Sequence, residues 1–142
     1  MSDLSDLRDG IQTVVETAIS GLRVYAYPTE GQLEYPCLVL DTVPEVRYGE
    51  EIGGNTLVAE ITATLYAFAA GMDQAWATMD GYRSPTGATS IRAAIRTDRT
   101  LDGKADDADV ERSWDARVDR NNQGSVWQFS CRFDIHVAKS IA

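Results

Sequence analysis

Residues 57–69 read Leu57-Val58-Ala59-Glu60-Ile61-Thr62-Ala63-Thr64-Leu65-Tyr66-Ala67-Phe68-Ala69. One alternate series, Leu57, Ala59, Ile61, Ala63, Leu65 and Ala67, is wholly apolar. The other, Val58, Glu60, Thr62, Thr64, Tyr66 and Phe68, is mixed. Period-two alternation of this length predicts a long strand with one face on a core and one toward water. The run 127–137 repeats the pattern, with Trp127, Phe129, Cys131, Phe133, Ile135 and Val137 on one face and Gln128, Ser130, Arg132, Asp134 and His136 on the other.

Helices and shorter strands surround these two runs. Leu4, Leu7, Ile11, Val14, Val15, Ala18, Ile19 and Leu22 recur at steps of three and four, an amphipathic helix stripe. Ser2 or Asp3 can cap it, Asp6 and Asp9 complement its positive end, and Gly21 stops it. Its thin polar face (Gln12, Thr13, Glu16) predicts packing across a sheet. Leu22–Tyr27 and Cys37–Val43 read as strands, the second bounded by Pro36 and Pro44. Glu45 to Asn55 is either a long hairpin loop or two strands extended beyond the core. Ala75, Trp76, Met79 and Tyr82 mark a helix from about Asp73 to Arg83, and Ser90 to Arg96 a short one with Ile91, Ala94 and Ile95 inward. An acidic loop, Asp98 to Asp109, leads to Val110-Arg112-Trp114-Ala116-Val118 on one strand face, and Arg120–Gly124 reads as a hairpin turn. The predicted fold is α+β: a mainly antiparallel sheet of about five strands, with an N-terminal helix and two middle helices packed on one face. With no repeat and no linker, 1–142 forms a single domain.

Composition narrows the function. The 142 residues carry 22 acids against 13 bases, a net charge of −9, with eleven Arg and only Lys104 and Lys139. That balance opposes a phosphate-gripping surface. No apolar run reaches the ~18 residues of a membrane span, and the acidic start Met1-Ser2-Asp3 predicts no secretory signal. Cys37 and Cys131 read as small buried thiols of a reducing compartment; a disulfide would need their strands to be neighbours. The three tryptophans, Trp76, Trp114 and Trp127, sit on apolar faces and read as core.

No catalytic constellation emerges. Ser130, Asp134 and His136 share a strand face, but Ser130 and His136 stand about 20 Å apart along it, and Asp134 with His136 reads as a solvated surface pair. A single histidine excludes His-rich metal sites. Asp98, Thr100, Asp102, Gly103 and Asp109 fall at positions 1, 3, 5, 6 and 12 of a calcium loop, yet Asp replaces the bidentate Glu at 12 and a strand follows instead of a helix. Phosphate-cradling glycine motifs and basic–aromatic interleaving are not found. The expectation is a protein without cofactor or metal and not an enzyme. Surplus sheet edge and the excursion Glu45, Arg47, Tyr48, Glu50 and Glu51 offer a partner surface.

In its order of elements the chain resembles the tail terminator and tail-completion proteins of long-tailed bacteriophages. The resemblance spans nearly the whole length. It rests on the N-terminal helix, Val24-Tyr25-Ala26-Tyr27-Pro28, Tyr35-Pro36-Cys37-Leu38-Val39-Leu40, and the strand ending Leu65-Tyr66-Ala67-Phe68. It continues in Ser90-Ile91-Arg92-Ala93-Ala94-Ile95, then Asp98-Arg99-Thr100-Leu101-Asp102-Gly103 and an acidic run. Thr86-Gly87-Ala88-Thr89-Ser90-Ile91 departs, by an insertion, from the Pro-Gly-Ser-Ile-like helix start common in that family.

The resemblance implies a virion neck protein, assembled in the host bacterial cytoplasm. Its subunits form a ring, usually a homohexamer, that caps the tail tube, stops its polymerisation and joins it to the head. Implied partners are further copies, the major tail tube protein and the head–tail connector, with no membrane. DNA passes through the bore without being gripped. Six copies at −9 carry −54, and a like-charged bore repels phosphates over roughly the Debye length, ~8 Å. Asp98, Asp102, Asp106, Asp107 and Asp109 are the candidate bore acids, and Glu45, Arg47, Tyr48, Glu50 and Glu51 the candidate interface. Rival readings are a head-completion or connector component, and a small cytosolic enzyme or ligand-binding α+β domain.

Overall fold

A computed structural model describes residues 3–28, 31–41, 45–48, 56–120 and 126–140. Its elements run α1 (Asp3–Ala18), β1 (Arg23–Tyr25), β2 (Cys37–Leu40), β3 (Glu45–Tyr48), β4 (Thr56–Ala69), α2 (Met72–Arg83), α3 (Ile91–Thr97), β5 (Asp107–Arg120) and β6 (Trp127–Ser140). The class is the predicted α+β, with six strands where about five were expected. The added strand is β3, which the sequence left open between loop and strand.

β4 and β6 form the spine of the sheet, antiparallel over fourteen residue pairs from Thr56↔Ser140 to Ala69↔Trp127. Large and small side chains alternate across this seam on the core face: Phe133 lies opposite Ala63, Phe129 opposite Ala67 and Leu65 opposite Cys131. All six are 5 % exposed or less, so large side chains on one strand face small ones on the other, an arrangement that favours close packing. Burying each large apolar side chain here contributes about 1.5–3 kcal/mol.

The strand order is β1-β2-β4-β6-β5, with β3 also on β4. β2 and β3 lie end to end along the same side of β4, at Ala63–Tyr66 and Leu57–Glu60. The N–H of Asp41 continues the ladder to the Thr62 carbonyl at 2.8 Å. Among the described strands only β1 is parallel to its neighbour.

The core stripe of α1 is as expected: Leu7, Ile11, Val14 and Val15 are buried. Its thin polar face does more than skirt the sheet. Gln12 donates to the Val24 carbonyl at 2.9 Å, and Glu16 accepts the Val24 N–H at 2.9 Å. These bonds satisfy the side of β1 that faces away from β2, so a helix closes that sheet edge. Ser90 caps α3 by accepting the Ala93 N–H, and Ile91, Ala94 and Ile95 point inward, as predicted.

β5 departs from the sequence reading. Val110 pairs with Ile135 and Arg112 with Asp134, so two residues oppose one; a second irregularity separates Trp114↔Arg132 from Arg117↔Ser130. These are β-bulges, and Asp115 in the second has φ +55°. Val110 and Val118 keep the core face, opposite Ile135 and Phe129. Arg112 and Trp114 are moved to the outer face, opposite Asp134 and Arg132. The expected single face Val110-Arg112-Trp114-Ala116-Val118 is therefore split, because simple alternation cannot register an inserted residue.

The tryptophan expectation also fails in part. Trp76 is 40 % exposed, Trp114 lies on the outer face, and only Trp127 packs against the core from its margin. Cys37 and Cys131 are both buried and free, as expected. Cys37 pairs with Tyr66, and Leu65 with Cys131, so the two thiols sit on opposite faces with β4 between them. Burial pushes both thiols up to about 11, which keeps them protonated and inert.

Candidate assembly surfaces

Of the interface residues predicted from the sequence, Glu45, Arg47 and Tyr48 fall on β3, a strand whose only partner among the described residues is β4. Arg47 pairs with Glu45 at 3.0 Å, and Tyr48 is 68 % exposed. Glu50 and Glu51 lie outside the described residues.

The acidic stretch is more structured than a solvated loop. Its last two acids, Asp107 and Asp109, belong to β5 and not to a loop. The Arg99 guanidinium grips Asp107 with two bonds of 2.7 and 2.9 Å, and Arg96 grips Asp109 at 3.1 and 2.7 Å. Those guanidiniums hold both carboxyls below the usual carboxylate range. Asp98 is likewise lowered, by the Thr100 hydroxyl and the Asp102 N–H. Asp106 accepts from both the backbone N–H and the hydroxyl of Ser140, at 2.8 and 2.6 Å, tying the loop to the end of β6. Asp102 is exposed.

Between these acids the chain turns inward. Leu101, Asp102 and Gly103 all take positive φ, of +51°, +59° and +79°. The turn drives the fully buried Leu101 against α1, where the Leu101 carbonyl oxygen would lie 2.6 Å from a Cβ on Gly10. Glycine at position 10 is what lets loop and helix approach so closely. A calcium-loop reading does not survive this geometry, since Asp98 is committed to the turn and Asp109 to arginine.

One member of each predicted group lies at the same level on opposite sides of the sheet, Glu45 on one and Asp109 on the other. Glu45 pairs with Glu60, Glu60 with His136, and His136 with Asp109. At about 4.8 Å per strand, Glu45 and Asp109 are ~14 Å apart across the row.

Two further features escaped the sequence. On the outer face Trp114 lies between two guanidiniums, Arg112 at 4.9 Å and Arg132 at 5.3 Å from its ring centre. This is the basic–aromatic interleaving that the linear sequence did not reveal. Asp134 anchors it: although 8 % exposed, it accepts from Arg112, from the Trp114 indole at 3.0 Å and from Thr62 at 3.3 Å. Burial pushes its carboxyl up, but these donors outweigh that and hold it below the usual range. The expected solvated Asp134–His136 pair is replaced by this cluster, while His136 turns to Glu60 and Glu111.

The second feature is apolar. Tyr35, Pro36, Ala67, Phe68, Thr78, Tyr82 and Phe129 line an open groove of about 220 Å³ at the end of β4. Tyr35 and Phe68 meet edge to face at 4.7 Å and remain 44 % and 39 % exposed; Met72 and Trp76, on the first turns of the following helix, are 48 % and 40 % exposed. Tyr35 and Phe68 belong to the groove, whereas Met72 and Trp76 are exposed on α2 outside its lining; exposed apolar residues of this size are a common feature of partner surfaces.

No helix among the described residues is long and apolar enough to cross a membrane. No protein-family model matches the chain, and no curated protein matches it. Among solved structures it is similar to a chain described as "Virion of native gene transfer agent (GTA) particle", at 15% identity, over 90% of this chain and 84% of that one, with a TM-score of 0.32. At that degree of superposition the likeness carries no inference about role.

Proposed function

We propose that the protein is a structural subunit of a phage-type virion neck. It assembles as a ring on the head-proximal end of the tail tube, stops tube growth and joins tail to head. It works by association and not by catalysis. The observation that supports this reading is the open aromatic groove at Tyr35 and Phe68, with Met72 and Trp76 also exposed on α2, together with an order of sequence motifs that resembles tail terminators.

The disposition of edges refines where subunits meet. α1 closes the β1 edge through Gln12 and Glu16. Two bulges and the exposed charges Glu111, Arg112, Arg117 and Asp119 blunt the β5 edge, a known device against strand addition. β3 and the aromatic groove remain as contact surfaces for a second copy or for tube protein. The acidic bore is a weaker element. Residues 96–109 hold five aspartates against Arg96, Arg99 and Lys104, a net of −2, so repulsion of passing DNA rests on the whole ring more than on this segment.

Sedimentation of the protein with and without tube protein tests the surfaces. Phe68→Asp with Trp76→Asp is expected to abolish co-sedimentation, and Arg47→Ala with Tyr48→Ala to weaken it, both with little change in Tm. Undiminished association in both double variants would contradict the proposed surfaces. Rings that bind connector protein and ignore the tube would instead favour the head-completion reading.

A further inference from the structure

The row that crosses the sheet at His136 has an unusual centre. The imidazole Nδ1 lies 3.4 Å from a Glu111 carboxylate oxygen and 3.8 Å from a Glu60 carboxylate oxygen. Both are longer than an ordinary hydrogen bond of about 2.7–3.2 Å. Nδ1 is itself sealed from solvent and has no hydrogen-bond partner among the described residues. Three ligand atoms, one from each residue, lie within 4.8 Å of one another. Two carboxylates converge here on one nitrogen, while the other acids of the row are spoken for: Glu45 by Arg47 and Asp109 by Arg96.

We propose that Glu60, Glu111 and His136 form a binding site for a divalent first-row transition cation of the Zn²⁺ type. The spacing suits such an ion. With metal–nitrogen and metal–oxygen bonds of about 2.0–2.2 Å, tetrahedral ligands stand ~3.4 Å apart, against the observed 3.4 and 3.8 Å. The donor set of one imidazole and two carboxylates is mixed, and the nitrogen favours zinc, copper or nickel over magnesium or calcium. A divalent cation bound there faces the Nδ1 nitrogen and both carboxylate oxygens with the opposite charge.

The three ligands come from three adjacent strands, β4, β5 and β6. Glu111 reaches the site because it is the extra residue of the first β5 bulge, between Val110↔Ile135 and Arg112↔Asp134. The bulge thereby acquires a use: it turns an additional side chain onto the outer face beside His136. With three protein ligands partly open to solvent, the fourth coordination position remains for water or for a ligand from a neighbouring molecule. The ion pins the edge strand β5 to the spine of the sheet, independently of any role in a virion.

Titration calorimetry of the untagged full-length protein with ZnCl₂ tests the proposal, alongside melting curves and ¹⁵N NMR of its single histidine. One equivalent of zinc is expected to bind, with Nδ1 and not Nε2 showing the metal-bound shift. Tm is expected to rise by roughly 5–10 °C at a hundredfold excess over the dissociation constant. His136→Gln should abolish binding, and Glu60→Gln and Glu111→Gln should each weaken it at least tenfold, while Asp134→Asn leaves it unchanged. Excess Mg²⁺ or Ca²⁺ should not compete. Zinc binding that persists in His136→Gln, an Nδ1 signal unmoved by zinc, or displacement by Mg²⁺ would each overturn the assignment. These readouts require neither ring nor tube, so the failure of one proposal leaves the other standing.

Discussion

Arg8 shows how much a single side chain can hold. It is 6 % exposed, and its guanidinium donates to the carbonyls of Ala26 at 2.7 Å, Leu40 at 3.3 Å and Asp41 at 2.8 Å, while stacking on Tyr27. It thus fastens α1 to the ends of β1 and β2. Arg8→Met keeps the stem but strands those carbonyls, and is expected to cost about 2–4 kcal/mol in chemical denaturation. Gly10→Ala is expected to destabilise despite alanine's better helix propensity. Its Cβ would lie 2.6 Å from the Leu101 carbonyl oxygen, an overpacking worth roughly 1–3 kcal/mol against ~1 kcal/mol of propensity gained. Neither role is legible in the sequence. Arg8 sits beside the apolar stripe like any solvated charge, and Gly10 announces nothing about a loop ninety residues away.

Elements were legible where periodicity is unbroken and local. α1, β4, β6 and α3 each carry a full run of the right period, so their faces follow from the chain alone. β5 does not, because two bulges reset its alternation, and only its register against β6 reveals which side chains share a face. For the same reason the Asp134 cluster and the Glu60–Glu111–His136 site were hidden: their members lie on different strands. Asp134→Asn tests the first. The wild-type carboxyl is held below its ordinary range, so its contribution is present above about pH 4 and is lost as the pH falls through the depressed value. Melting curves should show the variant less stable at pH 7 and the difference shrinking toward pH 3. A pH-independent gap would mean that shape, not charge, holds the cluster.

Across the sheet as a whole, a helix closes one edge, bulges blunt the other, and among the described residues an aromatic groove and β3 remain open. The fold class was readable from the sequence; the groove was not, because Tyr35, Phe68 and Tyr82 come from separate elements and only packing brings them to one opening. In the proposed role these surfaces build a ring on a tail tube, and electron microscopy of the protein added to growing tubes of its cognate tail tube protein is the decisive test. Elongation is expected to stop, with tube ends carrying a ring of identical copies, most simply six. Tubes that elongate unchanged, with the protein remaining monomeric beside them, would contradict that role.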